Sequence, residues 1–142
     1  KALLSEIPYP VIIKGVMSAQ EAKQLVEMGV EAIVVSNHGG RIIDYSPGTA
    51  EILPEIAAEV KGQTTILVDG GIQSGMDIYK MLALGADGVL IGRAFTRAVF
   101  SDLDNGLAQY CQTLQAQLKK TMLMTGCHTI SDIDSTHIRW AK

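Results

Sequence analysis

The sequence predicts an α/β fold in which short parallel strands alternate with helices. Four runs rich in Val and Ile, at residues 10–15, 31–37, 64–71 and 87–93, lack strict alternation and are typical of strands buried on both faces of a parallel sheet. Helical patterns separate these runs, so the chain contains four successive βα units. Both a doubly wound sheet and part of an eight-stranded barrel are compatible with that order.

Start and stop signals delimit two of the helices. The segment 18–29 begins with Ser18, which can cap a helix, has Glu21 three residues later and ends at Gly29, where a left-handed residue is expected. The segment 74–85 carries the same type of signals at both ends. Both segments are therefore predicted to be helices that pack on the sheet.

Two further helices are predicted around residues 49–60 and 105–125, the second being the longest in the chain. Pro54 lies inside the first of them. Because proline lacks an N–H group and is tolerated only in the first turn, we expect this helix to be interrupted there.

The composition predicts one globular domain, residues 1–142. Hydrophobic residues make up 47% of the chain, which is enough apolar material for a core. The formal net charge is -3 and no block of Lys or Arg occurs, so neither nucleic acid nor an anionic membrane surface is an expected partner.

Export signals, membrane spans and metal-ligand patterns are not found in the sequence. No apolar run reaches the ~18 residues of a membrane span, and the first ten residues lack the pattern of a signal peptide. Cys111 and Cys127 have no metal-type spacing and are expected to be free thiols, while His128 and His137 have no partner at ligand spacing. We therefore expect a cytoplasmic protein without a metal site.

Glycines and polar residues cluster where the predicted strands end, which is where parallel α/β folds bind ligands. The third strand ends in Asp69, Gly70 and Gly71, and the fourth in Gly92 and Arg93. These loops offer backbone N–H groups near a helix start, and the arginine can add a charge-assisted bond, so a phosphate group is a predicted ligand. The alternative is that the glycines only form tight turns beside a solvated arginine.

The first two strands end in Lys14 and in the motif SNHGGR, which contains His38 and Arg41. Histidine can take a proton near neutral pH and a guanidinium can bind a carboxylate through two parallel bonds, so this motif can supply a base and an anchor for a carboxylic acid. Lys14 is a candidate to stabilise negative charge on a cofactor or intermediate. A turn histidine, a surface arginine and a lysine that reaches solvent are the structural alternatives.

The motif SNHGGR, with IIKG before it and DGGIQSGMDIYKMLALGADGVLIGR after it, resembles the FMN-dependent α-hydroxy acid oxidase and dehydrogenase family. This family includes glycolate oxidase, lactate oxidase and the flavin domain of flavocytochrome b2. The similarity extends from about Pro10 to the segment SDIDSTHI. The glycine-rich part alone is also similar to IMP dehydrogenase and to type 2 isopentenyl diphosphate isomerase, so SNHGGR is the discriminating element.

The resemblance implies an FMN-binding (β/α)8 barrel that oxidises a small L-2-hydroxy acid, of the lactate or glycolate type, to the 2-oxo acid. His38 would remove a proton from the substrate, and Arg41 would hold its carboxylate. Lys14 would stabilise the negative charge of the reduced flavin, and Ser36 would also contact the cofactor. The ribityl and phosphate end would be bound by Asp69, Gly70, Gly71, Ile72, Gln73, Gly92 and Arg93. Hydride transfer and a carbanion route both remain open, because both need the same base and anchor.

The chain departs from the family pattern in two residues and in length. Family members commonly have an arginine where this chain has Gln73 and a proline where it has Ala94, so one cation of the phosphate site is missing. The chain would supply only the C-terminal half of the barrel, strands 5 to 8. A tyrosine, a second arginine and the aspartate that orients the histidine come from the first half in the family.

By itself the chain is therefore expected to be inactive, and to form a homo-oligomer or to pair with a missing N-terminal half. Two alternatives to this function are a barrel enzyme that acts on a phosphorylated metabolite and a non-catalytic half-barrel that binds phosphate or flavin.

Overall fold

The strands form one parallel sheet whose order follows the chain. The computed structural model describes residues 2–41 and 43–139. Its strands are β1 (Ile12–Val16), β2 (Ala32–Val35), β3 (Thr65–Val68) and β4 (Gly88–Val89), and each pairs with the next in the order β1-β2-β3-β4. In a doubly wound sheet the strand order reverses at a switch point. The sequential order of the four strands is instead that of a barrel segment.

Helices connect the strands and continue the chain after the last one. They are α1 (Ala2–Glu6), α2 (Ala19–Met28), α3 (Thr49–Val60), α4 (Gly75–Ala83), α5 (Arg93–Ser101) and α6 (Gly106–Thr125). Two short 3-10 turns, Ile130–Asp132 and Ser135–His137, follow α6. None of the helices in the described part of the chain is both long and apolar enough to cross a membrane.

The predicted helix signals act where the sequence places them. The Ser18 hydroxyl accepts a hydrogen bond from the N–H of Glu21 at 3.1 Å, and Gly29 ends α2 with φ of 87°. At the start of α4, Ser74 and Asp77 satisfy each other's backbone N–H groups in a reciprocal capping box. These local interactions explain why both helix starts could be predicted from sequence.

The predicted interruption at Pro54 is wrong, because α3 runs without a break from Thr49 to Val60. Pro54 removes one hydrogen bond of the helix ladder. Leu53 and Ile56, on either side of it, are completely buried in the main core. We attribute the intact helix to this packing, since burial of such side chains contributes roughly 1.5–3 kcal/mol each.

The main core lies between the sheet and its helices. Ile33, Val35, Ile66 and Val68 point to the same side of β2 and β3 and are fully buried. The edge of the sheet is less well covered, since Ile12 of β1 is 54% exposed. The sheet is thus covered well by its own helices and poorly at its edge.

A second, smaller core fixes the C-terminal segment onto α4. The Tyr79 hydroxyl donates a hydrogen bond to Oγ1 of Thr125 at 2.9 Å and lies 3.5 Å from Sγ of Cys127. Burial, followed by the interaction with the Cys127 thiol, raises the pKa of Tyr79. Cys127 is buried and Cys111 is exposed, and both are free thiols.

Candidate functional site

A pocket of about 380 Å³ opens at the C-terminal ends of the strands. It brings together every sequence-predicted site residue except Ser36. The predicted residues that line it are Lys14, His38, Arg41, Asp69, Gly70, Gly71, Ile72, Gln73, Gly92 and Arg93. Residues separated by up to 79 positions in the chain (Lys14 to Arg93) therefore share one cavity because their strands are parallel and adjacent.

A β-bulge in β1 positions Lys14. Lys14 pairs with Val34 and Val16 pairs with Val35, so Gly15 is an extra residue in the β1 ladder. The Lys14 ammonium donates a hydrogen bond to Oγ of Ser36 at 2.6 Å and lies 2.8 Å from Oδ2 of Asp69. Ser36 itself is completely buried. It does not line the pocket but holds the lysine that does.

Asp69 connects three strand ends. Besides its ion pair with Lys14 of β1, its N–H group donates to the carbonyl of Val35 at 3.1 Å, and its own carbonyl accepts the Thr49 hydroxyl at 2.7 Å. The other carboxylate oxygen, Oδ1, is buried and has no hydrogen-bond partner among the described residues. A buried acceptor of this kind is favourable only when a donor reaches it.

His38 occupies a left-handed backbone conformation, with φ of 56°. Its N–H group lies 3.3 Å from Oγ of Ser36, and the next N–H group, that of Gly39, donates to Oδ1 of Asn37 at 3.1 Å. Asn37 in turn donates to the carbonyl of Pro47 at 3.3 Å. Side chains with local hydrogen bonds therefore build the turn that presents this histidine.

The imidazole of His38 lies directly over Gly15. A Cβ atom on Gly15 would stand only 2.8 Å from Cε1 of His38. The absence of a side chain at the bulge thus makes room for the ring. Within residues 2–41 and 43–139, neither ring nitrogen of His38 has a hydrogen-bond partner, and the residue is exposed to the pocket and solvent.

Gly39 lies between two guanidinium groups. Its absent Cβ would be 3.2 Å from Nη2 of Arg93 and 3.7 Å from Nε of Arg41. The same Nε donates to the carbonyl of His38 at 3.0 Å, so the histidine and Arg41 belong to one turn. Arg41 and Arg93 thus approach the same loop from different strand ends.

The loop between β3 and α4 is fixed from both sides. Oδ2 of Asp77 accepts the N–H groups of Gln73 and Ser74 at 3.1 and 3.0 Å, and the Tyr110 hydroxyl of α6 donates to the carbonyl of Gln73 at 2.6 Å. The N–H groups of residues 70–72 make no hydrogen bond within the described part of the chain. They are available to an anion.

Sequence reasoning missed three polar contributors to this site: Thr49, Arg97 and Tyr110. The positions of Thr49 and Tyr110 depend on how helices pack, which no local pattern records. Arg97 follows Arg93 by four residues, a spacing that places both on one helix face only once the segment is known to be a helix.

The pocket fits a ligand that ends in a phosphate and carries hydroxyl groups. The unpartnered Oδ1 of Asp69 can accept a hydroxyl donor, and the space next to the absent Cβ atoms of Gly71 and Gly92 is open to at least 4 Å. Gly92 precedes the first turn of α5, whose N–H groups have no partner within the helix. The FMN implied by the motif resemblance has both a polyhydroxyl chain and a phosphate.

Known proteins match the chain along nearly its whole length. A family model described as FMN-dependent dehydrogenase matches residues 1–140. The peroxisomal (S)-2-hydroxyacid oxidase GLO3 of Arabidopsis thaliana is 42% identical over 130 residues, covering 92% of this chain and 36% of that protein. The L-lactate dehydrogenase of Pectobacterium atrosepticum is 46% identical over 126 residues, covering 89% of this chain and 33% of that protein.

The fold is also found in a solved structure. A mandelate oxidase variant with a monooxide FMN adduct superposes with a TM-score of 0.89 at 38% identity, covering 93% of this chain and 42% of that one. The chain thus spans about a third of the length of the curated relatives above.

Proposed function

The chain belongs to the FMN-dependent dehydrogenase family, and on that premise we propose that it is the half-barrel that holds FMN, the base and the carboxylate anchor in oxidation of a small L-2-hydroxy acid to the 2-oxo acid. The observation that carries this proposal is the single pocket in which His38, Arg41 and Lys14 meet two glycine loops. Its relatives are named for 2-hydroxy acid and L-lactate oxidation.

The residues of the pocket divide into a phosphate end and a reactive end. Residues 70–72 and Gly92 would hold the phosphate with backbone N–H groups and Arg93 with its guanidinium, while Asp69 would accept a ribityl hydroxyl. Lys14, fixed by Ser36 and Asp69, would place a positive charge beside the flavin. FMN, when bound, accepts the two electrons that leave the substrate.

His38 and Arg41 would act on the substrate itself. His38 takes the substrate proton on a ring nitrogen, which has no competing partner among the described residues. Arg41 uses Nε to hold the His38 carbonyl, which leaves its two terminal amino groups for the substrate carboxylate. The anchor and the base therefore move as one unit, which favours a fixed distance between the carboxylate and the reacting carbon.

We also propose that further βα units cover the open edges of this sheet. Ile12 on β1 is 54% exposed and Leu90, just after β4, is 39% exposed. An uncovered strand edge with apolar side chains tends to pair with other strands. The covering units would come from an N-terminal half or from a second copy of this chain.

We further propose a cytoplasmic location for the protein, because the free thiols of Cys111 and Cys127 are typical of a reducing compartment.

The first experiment measures flavin binding by the 142-residue chain through quenching of flavin fluorescence. FMN should bind more tightly than riboflavin, which lacks the phosphate, because the phosphate end lies within this chain. Equal affinities would contradict the assigned phosphate site. Sedimentation on the same sample reports whether the chain associates, and a stable monomer would contradict the proposed second copy.

The second experiment tests the chemistry in a chimera in which this chain replaces the matching segment of the Pectobacterium L-lactate dehydrogenase. His38→Gln should retain FMN and slow anaerobic flavin reduction by L-lactate roughly 10²- to 10⁴-fold, because the base is lost. Reduction at the unaltered rate would remove His38 from the reaction.

A further inference from the structure

The pocket carries a positive charge that its ion pairs do not neutralise. It is lined by Lys14, Arg41, Arg93 and Arg97 against a single carboxylate, that of Asp69. Asp69 pairs with Lys14, and the ion pairs of the described residues include none of the three arginines. The chain as a whole has a formal net charge of -3, so this concentration of cations is local. It matches a ligand with more than one negative charge.

One of these cations lies at the N-terminus of a helix, and a second lies four residues later in the same helix. Arg93 is the first residue of α5, Arg97 lies one turn later, and the first turn holds no acidic residue. Cations near a helix N-terminus oppose the helix dipole, and like charges four residues apart repel each other. A dianion bound beside them would offset both effects.

The loop before α4 places a neutral side chain, that of Gln73, at the same pocket. Gln73 stands where the resembling family commonly has an arginine, and its side chain is neutral. Its backbone is fixed by Asp77 and by Tyr110, so Gln73 remains on the pocket wall. Arg97 lines the same cavity from α5.

We propose that Arg97, together with Arg93, binds the phosphate of FMN and supplies the charge that Gln73 does not. This assignment rests on the proposed function, because it takes FMN as the ligand. A phosphate monoester carries close to two negative charges at neutral pH, so each of the two guanidinium groups can form a charge-assisted hydrogen bond. Arg97 is thus a specificity-determining residue for the phosphorylated over the unphosphorylated flavin.

The test compares dissociation constants for FMN and riboflavin in four forms of the 142-residue chain: wild type, Arg97→Gln, Arg97→Gln with Gln73→Arg, and Lys119→Gln. Arg97→Gln should weaken FMN about 10-fold or more, the usual effect of losing a hydrogen bond to a charged group, and leave riboflavin unchanged. Gln73→Arg should restore most of the loss. Lys119→Gln removes an exposed cation of α6 that lies outside the pocket and away from residues 70–72, and it should change neither constant.

A second readout is independent of the flavin ring. Inorganic phosphate, added at constant ionic strength, should shift the amide NMR signals of Gly71 and Gly92 in wild type and much less in Arg97→Gln. If wild type and Arg97→Gln prefer FMN to riboflavin equally, the role of Arg97 is refuted and the proposed function is not. Wild type with no preference for FMN and no phosphate-induced shifts would overturn the proposed function as well.

Discussion

Replacing Gly15 by alanine tests whether the bulge in β1 sets the position of the proposed base. The added Cβ would lie 2.8 Å from Cε1 of His38, whereas ordinary contact begins at 3.4 Å, so the ring has to move by about 0.6 Å. A 1 Å displacement at a reacting group can cost about 10²-fold in rate, so Gly15→Ala should slow flavin reduction about 10-fold. The assay is anaerobic reduction by L-lactate in the chimera described above.

Gly29 provides a matched control for the backbone effect. Gly15 and Gly29 have φ of 103° and 87°, and no atom outside the adjacent residues lies within 4 Å of a Cβ on Gly29. Alanine in a left-handed conformation costs about 1–2 kcal/mol, so both variants should lose similar free energies of unfolding in urea. Only Gly15→Ala should shift the His38 ring signals in NMR and slow reduction. Unchanged ring signals and equal rates in the two variants would refute the reasoning.

Three further predictions concern the anchor and the C-terminal segment. In the chimera, Arg41→Lys keeps the charge but loses the planar fork, so KM for L-lactate should rise while FMN content stays the same; an unchanged KM would contradict the anchor role. The pKa of Tyr79 is raised in the folded state, so the neutral hydroxyl contributes fully to the free energy of unfolding below about pH 10. This contribution is lost as pH rises through the folded-state pKa. Urea unfolding should therefore show a fall in the free energy of unfolding at alkaline pH that Tyr79→Phe lacks. Hydrogen bonds from the N–H groups of Thr129 and His128 lower the pKa of Asp132. Protection of these two amides from hydrogen exchange should therefore be present above about pH 4 and fall in acid. In Asp132→Asn the two amides should be unprotected at every pH.

Local signals explain most of the fold that could be predicted from sequence. Ser18, Gly29 and Ser74 define helix ends through interactions within a few residues, and these predictions are confirmed. Pro54 shows the limit of such rules, because its effect on α3 depends on core contacts far away in the sequence. Helix α5 was not predicted at all, and its N-cap residue Gly92 makes no side-chain bond that a sequence pattern could reveal.

The candidate site was predictable in its membership and not in its geometry. Parallel strands bring their C-terminal ends together, so residues after each strand could be assigned to one pocket in advance. The contact of His38 with Gly15 required the bulge, which is a property of the pairing between β1 and β2. The assigned roles of these residues stay predictions until the experiments above are done.

The two ends of the pocket differ in how far this chain supports them. The phosphate end is held by contacts within the chain: Asp77 and Tyr110 fix the loop that contains Gln73, and Thr49 fixes the carbonyl of Asp69. At the reactive end the His38 ring has no hydrogen-bond partner among the described residues, and Gly15 only leaves the space that the ring occupies. A base needs a fixed ring orientation to be effective, whereas a phosphate needs only its hydrogen-bond donors. We therefore expect the chain alone to bind the phosphate of the cofactor but not to support turnover. Affinity for FMN and catalytic rate should therefore separate experimentally, with the first present in the 142-residue chain and the second appearing only when further βα units cover the pocket.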